Sequence, residues 1–491
     1  MLLNDAVAGD APTLALDGRA ARRAARLRTA VDVLLPLALF AGALAWNLWF
    51  AAGASAQGVI TGEEASIDHR DPLALSLGWQ PSIWSTNAGS QLYYLVASHL
   101  TPEYGLFWAR PVKAATMAVL PALLYLVARR RLRCSPVTAT VGAAVAALLP
   151  GVTTIAWVGT ENGFEAIWGV LALYLATSRR AWWPLALLPA AYAVSNYTAG
   201  LAWAAVVALV CLVRVRSFRD AVFVLLGGAV GTGLVLAPLL WWRNGGIVVT
   251  GGGRSGADLD EWRIRLVETL HLLVDDGSGY YWFSDQPMLT SRVVAGVLAA
   301  CALVAVLRRF RLVWPWFTVA LASAGLYAVS SGVPGSRRIA AVAVVAGLLV
   351  APALDELVRV VRRPRWVAVP VATLLVVLVT AVAVVPSVQG GLSTRAELAS
   401  GTRPLPIDWP FPVDLGGTQS STLVRLDADL RAGTVTPADV GDGWGGTRTL
   451  AMLIVLAERN GRTPPLSTDD LLGYYRTTED CRLLDGRPSC G

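Results

Sequence analysis

Two adjacent carboxylates, Glu63 and Glu64, lie just beyond the first long apolar segment of the chain, and Asp68 follows them closely. Carboxylates are costly to bury in hydrocarbon, so at a membrane boundary we expect them to face water, a partner or a substrate. A carboxylate placed there can accept the proton of an attacking hydroxyl group or hold that group in position. We therefore treat this acidic cluster as the first candidate for chemistry. The alternative is a solvated loop, in which Asp68 forms a turn or pairs with Arg70.

Cationic side chains that could bind an anionic substrate group occur at two other places in the sequence. Arg110 and Lys113 open a later apolar segment, and Arg337 and Arg338 precede another. The planar guanidinium of arginine can bind a phosphate through two parallel hydrogen bonds, whereas lysine supplies a compact positive charge. The alternative is that all four side chains anchor helix ends in the lipid headgroups.

The elements that must position these residues are membrane helices. The chain has 491 residues, of which 55% are hydrophobic and 15% charged, whereas soluble domains carry about 25% charged residues. Apolar runs such as 31–50 and 367–386 reach the length of about 20 residues that a membrane helix needs. The first run is no cleavable signal peptide, because it begins late and lacks a small-residue cleavage site after a short apolar core. We predict an all-α polytopic membrane protein.

The positive charge of the chain indicates topology rather than nucleic-acid binding. The formal net charge is +7, but the arginines form short clusters between apolar runs, as they do in the cytoplasmic loops of membrane proteins. The clusters occupy residues 19–28, 129–133, 179–180, 214–219, 308–311 and 359–365. If every cluster is cytoplasmic, the chain must cross the membrane twice between each consecutive pair, with its N-terminus inside and its C-terminus outside.

The apolar runs supply these crossings as about eleven predicted helices. They are expected at 31–52, 110–128, 137–156, 162–177, 182–195, 197–213, 220–241, 292–307, 312–330, 339–354 and 367–387. Residues 182–213 are predicted to form two short helices that meet near Asn196, because one long helix would move the cluster at 214–219 to the outside. Short segments of this kind must be buried against other helices.

This topology divides the chain into three regions. Residues 1–30 form a cytoplasmic tail, residues 31–387 form the membrane module, and residues 388–491 form a small extracytoplasmic domain of mixed α/β structure. An external loop at 53–109 belongs to the membrane module. Its aromatic and apolar residues predict helices that lie in the plane of the interface.

The five cysteines give no indication of a metal site, because none of them has the spacing that metal ligands show. Cys481 and Cys490 lie in the polar tail. They can form a disulfide bond if that tail is extracytoplasmic.

Four short motifs and the order of the elements resemble a known superfamily. The motifs are Gln91-Leu-Tyr-Tyr-Leu95, Trp108-Ala-Arg110, Gly159-Thr-Glu161 and Ser336-Arg-Arg-Ile339. With a first helix and an acidic pair in a long external loop, they are similar to the GT-C glycosyltransferases. The similarity is greatest to the branch of protein O-mannosyltransferases and aminoarabinose lipid A transferases, and it covers about residues 30–355. The chain departs from that pattern in having Glu-Glu where the family has Asp-Glu, and glutamine at position 91 where it has proline.

The resemblance implies a fold, a reaction and a set of site residues. It implies a GT-C-like membrane module that transfers a sugar from a polyprenyl-phosphate carrier to a protein, lipid or polysaccharide acceptor on the outer face. Glu63 and Glu64 are then the candidate catalytic bases. The candidate substrate-binding residues are Asp68, Glu161, Arg110, Lys113, Arg337 and Arg338. These cations or a divalent metal ion would offset the charge of the departing phosphate, and no organic cofactor is expected.

Alternatives to this function stay open at the level of the sequence. A flippase or transporter for a lipid-linked or polar substrate would carry ionisable groups near the midplane of its helices, often in an inverted repeat. The apolar runs here are nearly free of such groups, and no internal repeat is visible. A catalytically silent scaffold is a third class, against which the intact acidic pair argues. Glu161 could equally cap the helix predicted from residue 162.

Overall fold

The computed structural model describes the membrane helices and parts of the tail. The described residues are 18–56, 109–159, 163–178, 183–197, 199–242, 259–275, 287–329, 339–361, 365–400, 419–440, 450, 453–454, 457–458, 461–467, 470, 481–484 and 487–490. Most of the first external loop, with the interfacial helices predicted there, lies outside these ranges.

Helices make up the described membrane module. In chain order they are α1 (Gly18–Ala56), α2 (Ala109–Met117), α3 (Val119–Arg130), α4 (Pro136–Leu148), α5 (Pro150–Trp157), α6 (Phe164–Ala176), α7 (Leu187–Asn196), α8 (Gly200–Arg214), α9 (Phe218–Trp242), α10 (Leu259–Val274), α11 (Arg292–Val329), α12 (Ala340–Val361) and α13 (Arg365–Ser400). A 3₁₀ turn at Trp183–Ala186 precedes α7. The described tail adds α14 (Gln419–Ala432), the short α15 (Pro437–Val440), and strands β1 (Cys481–Leu484) and β2 (Arg487–Cys490).

The helices are long and apolar enough to confirm a polytopic membrane protein. Within the described ranges, five spans meet the length and hydropathy of a membrane helix, and a sixth does if α4 and α5 count as one bent span. The predicted total of eleven crossings, and the orientation of the termini, stay predictions. The expected helical segments nevertheless occur, with the differences described below.

α12 forms the centre of the module, and α1 and α13 form its outside. The apolar window of α12 is 72% buried, whereas those of α1 and α13 are 11% buried. α12 approaches α4 closely at two glycines: a β-carbon on Gly347 would collide with Ala146, and one on Gly142 would collide with Ala351. Small residues at a helix contact allow this approach, which maximises packing where both surfaces are apolar.

The predicted helix at 137–156 is broken in the structure. α4 ends at Leu148, α5 begins at Pro150, and the two axes differ by 65°. Proline has no N–H to continue the helical ladder, and its ring drives the preceding residue out of the α conformation. Leu149 accordingly adopts extended backbone angles. All residues of α5 are buried, so the break turns α5 into the interior.

The prediction of two short helices in residues 182–213 is confirmed. α7 ends at Asn196 and α8 begins at Gly200. A β-carbon at Gly200 would collide with the carbonyl group of Ala193, so glycine permits the tight return. α7 has 10 residues and is about 15 Å long at 1.5 Å per residue, which is too short to cross the membrane alone.

The helices predicted at 292–307 and 312–330 are confirmed as the two halves of α11, which meet at a kink at Arg309. Arg309 has φ −134° and ψ 31°. Its guanidinium binds the carboxylates of Asp355 and Glu356, and it donates to the carbonyl oxygen of Leu132 at 2.8 Å. Asp355 also accepts the backbone N–H of Ser135 at 2.9 Å. This Arg309 network joins α11, α12 and the turn between α3 and α4.

α13 continues to Ser400, beyond residue 387 where we expected the membrane module to end. Its extension packs against the end of α1. Arg395 Nε donates to the carbonyl oxygen of Trp49 at 2.8 Å, and its guanidinium lies 5.0 Å from the centre of the Trp49 ring. Gly53 leaves space for this guanidinium. The predicted division into a membrane module and a separate tail domain stays a prediction.

The strands β1 and β2 form an antiparallel hairpin in which Cys481 pairs with Cys490. Directly opposed residues have Cα atoms about 4.5–5.5 Å apart, and a disulfide spans Cα separations of about 4.4–6.8 Å. The register therefore suits the disulfide that the sequence allowed.

We expect non-reducing peptide mapping of the purified protein to recover Cys481 and Cys490 in one cross-linked species, and Cys481→Ser to abolish it. The described cysteines Cys134, Cys211 and Cys301 are free and buried. Burial raises the pKa of the Cys134 thiol to about 12, so this thiol should resist alkylation and exchange. Recovery of both tail cysteines as thiols would contradict the disulfide and argue for a reducing environment around the tail.

Candidate substrate-binding site

Two of the predicted substrate-binding residues, Arg110 and Lys113, lie together inside the protein. They are one turn apart on α2, a spacing that puts both side chains on one face of the helix. Arg110 is 2% exposed and Lys113 is fully buried. The alternative that they anchor a helix end in the headgroups does not fit, because headgroup anchors extend into the interface.

Aromatic rings contact both cations. Lys113 Nζ lies 3.9 Å from the centre of the Phe164 ring, and Arg110 Cζ lies 5.6 Å from the centre of the Trp157 ring. Desolvated cation–π contacts of this kind contribute about 2 kcal/mol, which does not offset the cost of burying a full charge. Each cation makes at least one further interaction. We name the group Arg110, Lys113, Trp157 and Phe164 the cation pocket.

The connection between α5 and α6 shapes the pocket. Gly163 precedes α6 with φ +100°, a conformation that favours glycine. Its N–H donates to the carboxylate of Glu165 at 2.6 Å. This bond fixes the start of α6 and so the position of Phe164. Met117, one turn beyond Lys113 on α2, lies beside Gly163.

Glu165 is a residue of this site that the sequence analysis did not assign to it. Its side chain is buried, at 2% exposure, and it directly follows Phe164 of the cation pocket in the chain. The sequence carried one indication, an acidic residue in the first turn of a helix after a glycine. That pattern also describes an ordinary helix start, and so it did not distinguish Glu165.

The end of α1 is fastened to the cation pocket. The Phe50 ring stacks on Trp157 with centres 6.2 Å apart and planes inclined by 20°. Asn47 Nδ2 donates to the carbonyl oxygen of Ala114 on α2 at 3.3 Å. Trp46 packs edge-on against Phe50. The loop that carries the acidic cluster therefore departs from a helix end held against α2 and α5.

The remaining predicted site residues lie outside the described ranges. They are Glu63, Glu64, Asp68, Glu161, Arg337 and Arg338. Glu161 precedes the described Gly163 by two residues in the sequence.

An apolar cleft opens beside the cation pocket. It has a volume of about 280 Å³ and lies between α1, α2, α3, α4 and α5. Its lining is mostly small and apolar, and includes Ala38, Gly42, Trp46, Met117, Ala144 and Ala156. Met117 lines this cleft and also packs against Gly163. A charged pocket thus adjoins a hydrocarbon-lined one.

No group of three or more potential metal ligands occurs in the part of the chain that the structure describes. The acidic cluster is not in that part. The involvement of a divalent metal ion therefore rests on the sequence argument alone.

The fold and the pocket define a class, the multi-pass α-helical membrane proteins with a buried cationic site. Among solved structures, the chain is similar to ArnT from Cupriavidus metallidurans bound to undecaprenyl phosphate, with a TM-score of 0.52, 15% identity, and coverage of 91% of this chain and 87% of that one. ArnT in the apo state gives a TM-score of 0.50 and 16% identity, covering 92% and 88%. ArnT is an aminoarabinose lipid A transferase, and the chain shares its fold with this protein, as the resemblance predicted. No family model and no curated protein matches the sequence.

Proposed function

We propose that this protein is a glycosyltransferase that moves a sugar from a polyprenyl-phosphate donor to an acceptor on the extracytoplasmic face of the plasma membrane. The observation that carries the proposal is the pair of buried cations, Arg110 and Lys113, beside an apolar cleft. The shared fold supports it, because ArnT was crystallised with undecaprenyl phosphate. Membrane lipids and a protein, lipid or polysaccharide acceptor are the partners, and nucleic acid is not.

The cations are suited to the phosphate of the donor. As the bond between the sugar and the phosphate oxygen breaks, negative charge develops on the phosphate. In a site that excludes water, a fixed positive charge interacts with it more strongly than in solution. Arg110 can bind two phosphate oxygens at once, and Lys113 supplies a point charge. Arg337 and Arg338 are proposed to complete this group.

The apolar cleft is suited to the first isoprene units of the donor lipid. Most of its lining is alanine, glycine, leucine, valine and methionine, with Asn47 and the indole of Trp46 as polar members, so the cleft accommodates hydrocarbon rather than a charged headgroup. Its contact with Met117 places it one turn from Lys113. In this arrangement the phosphate of the lipid would lie at the two cations and its hydrocarbon chain in the apolar cleft. Each part would then be buried against groups of suitable polarity.

The acidic pair is proposed to supply the base. The acceptor oxygen attacks the anomeric carbon while the bond from that carbon to the phosphate oxygen breaks, which inverts the configuration of the sugar. Glu63 or Glu64 takes the proton of the acceptor hydroxyl, and the phosphate leaves with the electron pair. Asp68 and Glu161 orient the reactants. A divalent metal ion held by these carboxylates could share the phosphate charge with the arginines.

Lys113→Met should lower sugar transfer by about 10- to 100-fold, the loss expected when one charge-assisted hydrogen bond of about 1.5–3 kcal/mol is removed. Methionine keeps the length of the side chain and its contact with Phe164 but not the charge. Transfer is measured in proteoliposomes with a polyprenyl-phosphate sugar, alongside binding of the polyprenyl phosphate. Lys113→Arg should retain most activity, because the charge remains.

Arg131→Met is a matched control for this experiment. Arg131 also lies 3.9 Å from the centre of an aromatic ring, that of Tyr174, but outside the cation pocket. We expect it to leave transfer unchanged. Wild-type activity of Lys113→Met would remove the observation on which the proposal rests. Lipid translocation without sugar transfer in the same vesicles would favour the flippase alternative.

A further inference from the structure

A second charged cleft lies at the end of α3, away from the cation pocket. It has a volume of about 620 Å³ and is bounded by the turn between α3 and α4, by α12 and by α13. Its lining includes the three arginines Arg129, Arg133 and Arg359, and the apolar residues Val137, Val376 and Val377. We name it the arginine cleft. The arginine distribution predicts that it faces the cytoplasm.

Most of the arginines around the arginine cleft form ion pairs, but one of them does not. Arg129 pairs with Asp32 at 2.9 Å, and Arg359 pairs with Asp355 at 3.1 Å. Arg309 and Glu356 complete the Arg309 network beside them. Arg133 has no hydrogen-bonding or ion-pairing partner within the described ranges. Four arginines thus face three carboxylates, and the excess charge belongs to Arg133.

The backbone of Arg133 is in an unfavourable conformation. Its φ is +56°, in the left-handed region that costs a non-glycine residue about 1–2 kcal/mol. Glycine or asparagine would occupy this turn at lower cost. Because Arg133 also lines the cleft, this unfavourable conformation makes it a candidate functional position.

Hydrocarbon-facing side chains border the same cleft. Val137 is 62% exposed and Val377 is 56% exposed. Val377 belongs to α13, whose apolar window is only 11% buried and so is exposed to acyl chains, and Val137 lies at the start of α4 on the other side of the cleft. The arginine cleft therefore joins an unpaired cation to a surface that contacts acyl chains.

We propose that the arginine cleft binds an anionic phospholipid, with its headgroup phosphate at Arg133 and its acyl chains along Val137 and α13. Basic pockets between membrane helices on the cytoplasmic side recognise anionic headgroups in this way. The bound lipid lies next to the Arg309 network and so stabilises the contact between α12 and α13. This site is separate from the proposed donor site and does not depend on it.

The test is lipid binding to the full-length protein in detergent, followed by native mass spectrometry with phosphatidylglycerol and phosphatidylcholine. We expect phosphatidylglycerol to bind preferentially, and Arg133→Gln to weaken that binding about tenfold through the loss of one charge-assisted contact. Arg133→Lys should keep most of the affinity and so separate loss of charge from misfolding. Arg311→Gln is the matched control, an exposed arginine of α11 that does not line the cleft.

Two results would overturn the proposal. The first is equal binding of the two lipids, or equal binding of phosphatidylglycerol by Arg133→Gln and Arg311→Gln. The second is displacement of phosphatidylglycerol by millimolar inorganic phosphate, since this outcome would assign the cleft to a soluble phosphate. Binding that is selective, sensitive to Arg133 and unaffected by phosphate supports the lipid.

Discussion

Replacing Glu63 or Glu64 by glutamine is expected to abolish sugar transfer while the protein still folds and inserts. Glutamine has nearly the shape of glutamate but cannot accept a proton at neutral pH. A positioned general base contributes about 10²- to 10⁴-fold to a reaction rate, and the loss should appear in kcat more than in donor affinity. The measurement is transfer in proteoliposomes for each single variant, with donor binding measured separately.

The structure limits where this pair can act. α1 ends at Ala56, and Glu63 is seven residues further along the chain, within about 25 Å at full extension. The end of α1 is fixed to the cation pocket through Phe50 and Trp157. The length of the connection therefore permits the acidic pair to reach the proposed phosphate site.

Asp68→Asn and Glu161→Gln are the matched controls for this prediction, since each also removes one negative charge with little change in shape. They are expected to lower activity less, because orienting a reactant contributes less than transferring its proton. If Glu63→Gln and Glu64→Gln both retained full activity, neither carboxylate could be the base. If one did, the other would be identified as the base.

Arg309→Met is expected to destabilise the protein by about 3–5 kcal/mol, the typical cost of removing one partner from a buried ion pair. The side chain of Arg309 is 5% exposed and binds two carboxylates of α12 and the carbonyl oxygen of Leu132. Without the guanidinium, Asp355 and Glu356 keep only the exposed Arg359 as an ion-pairing partner, and the carbonyl oxygen loses its donor. The measurement is the thermal unfolding midpoint of the purified protein in detergent.

The adjacent arginine provides the control for this measurement. Arg308 is exposed, and Arg308→Met removes the same charge from the same turn without opening the network, so its effect should be within about 0.5 kcal/mol. Combining Arg309→Met with Asp355→Leu should restore part of the stability, because one uncompensated carboxylate is removed. Equal midpoints for Arg309→Met and Arg308→Met would show that the network contributes little.

The sequence predicted most of the helices and their approximate places. A chain in lipid must satisfy its backbone hydrogen bonds within each segment, so long apolar runs can form little else than helices. The requirement that every arginine cluster lie in the cytoplasm predicted two helices in residues 182–213. The structure confirms them, because α7 ends at Asn196 and α8 begins at Gly200. Pro150 could have predicted the bend between α4 and α5, because proline interrupts a helix, but the sequence analysis treated 137–156 as one helix. The extension of α13 to Ser400 was not predicted, because it depends on what this segment packs against.

For the site, the sequence by itself determined which residue types are available and that Arg110 and Lys113 share one helix face. Only the tertiary structure decided that both are buried, because their partners Trp157 and Phe164 lie more than forty residues away in the chain. It also buried Glu165, the neighbour of Phe164 in the chain. Helical periodicity fixes relations within a few turns, whereas burial depends on which helices meet. Contacts between distant segments therefore decided which charged side chains are removed from water. The proposed phosphate binding depends on that burial.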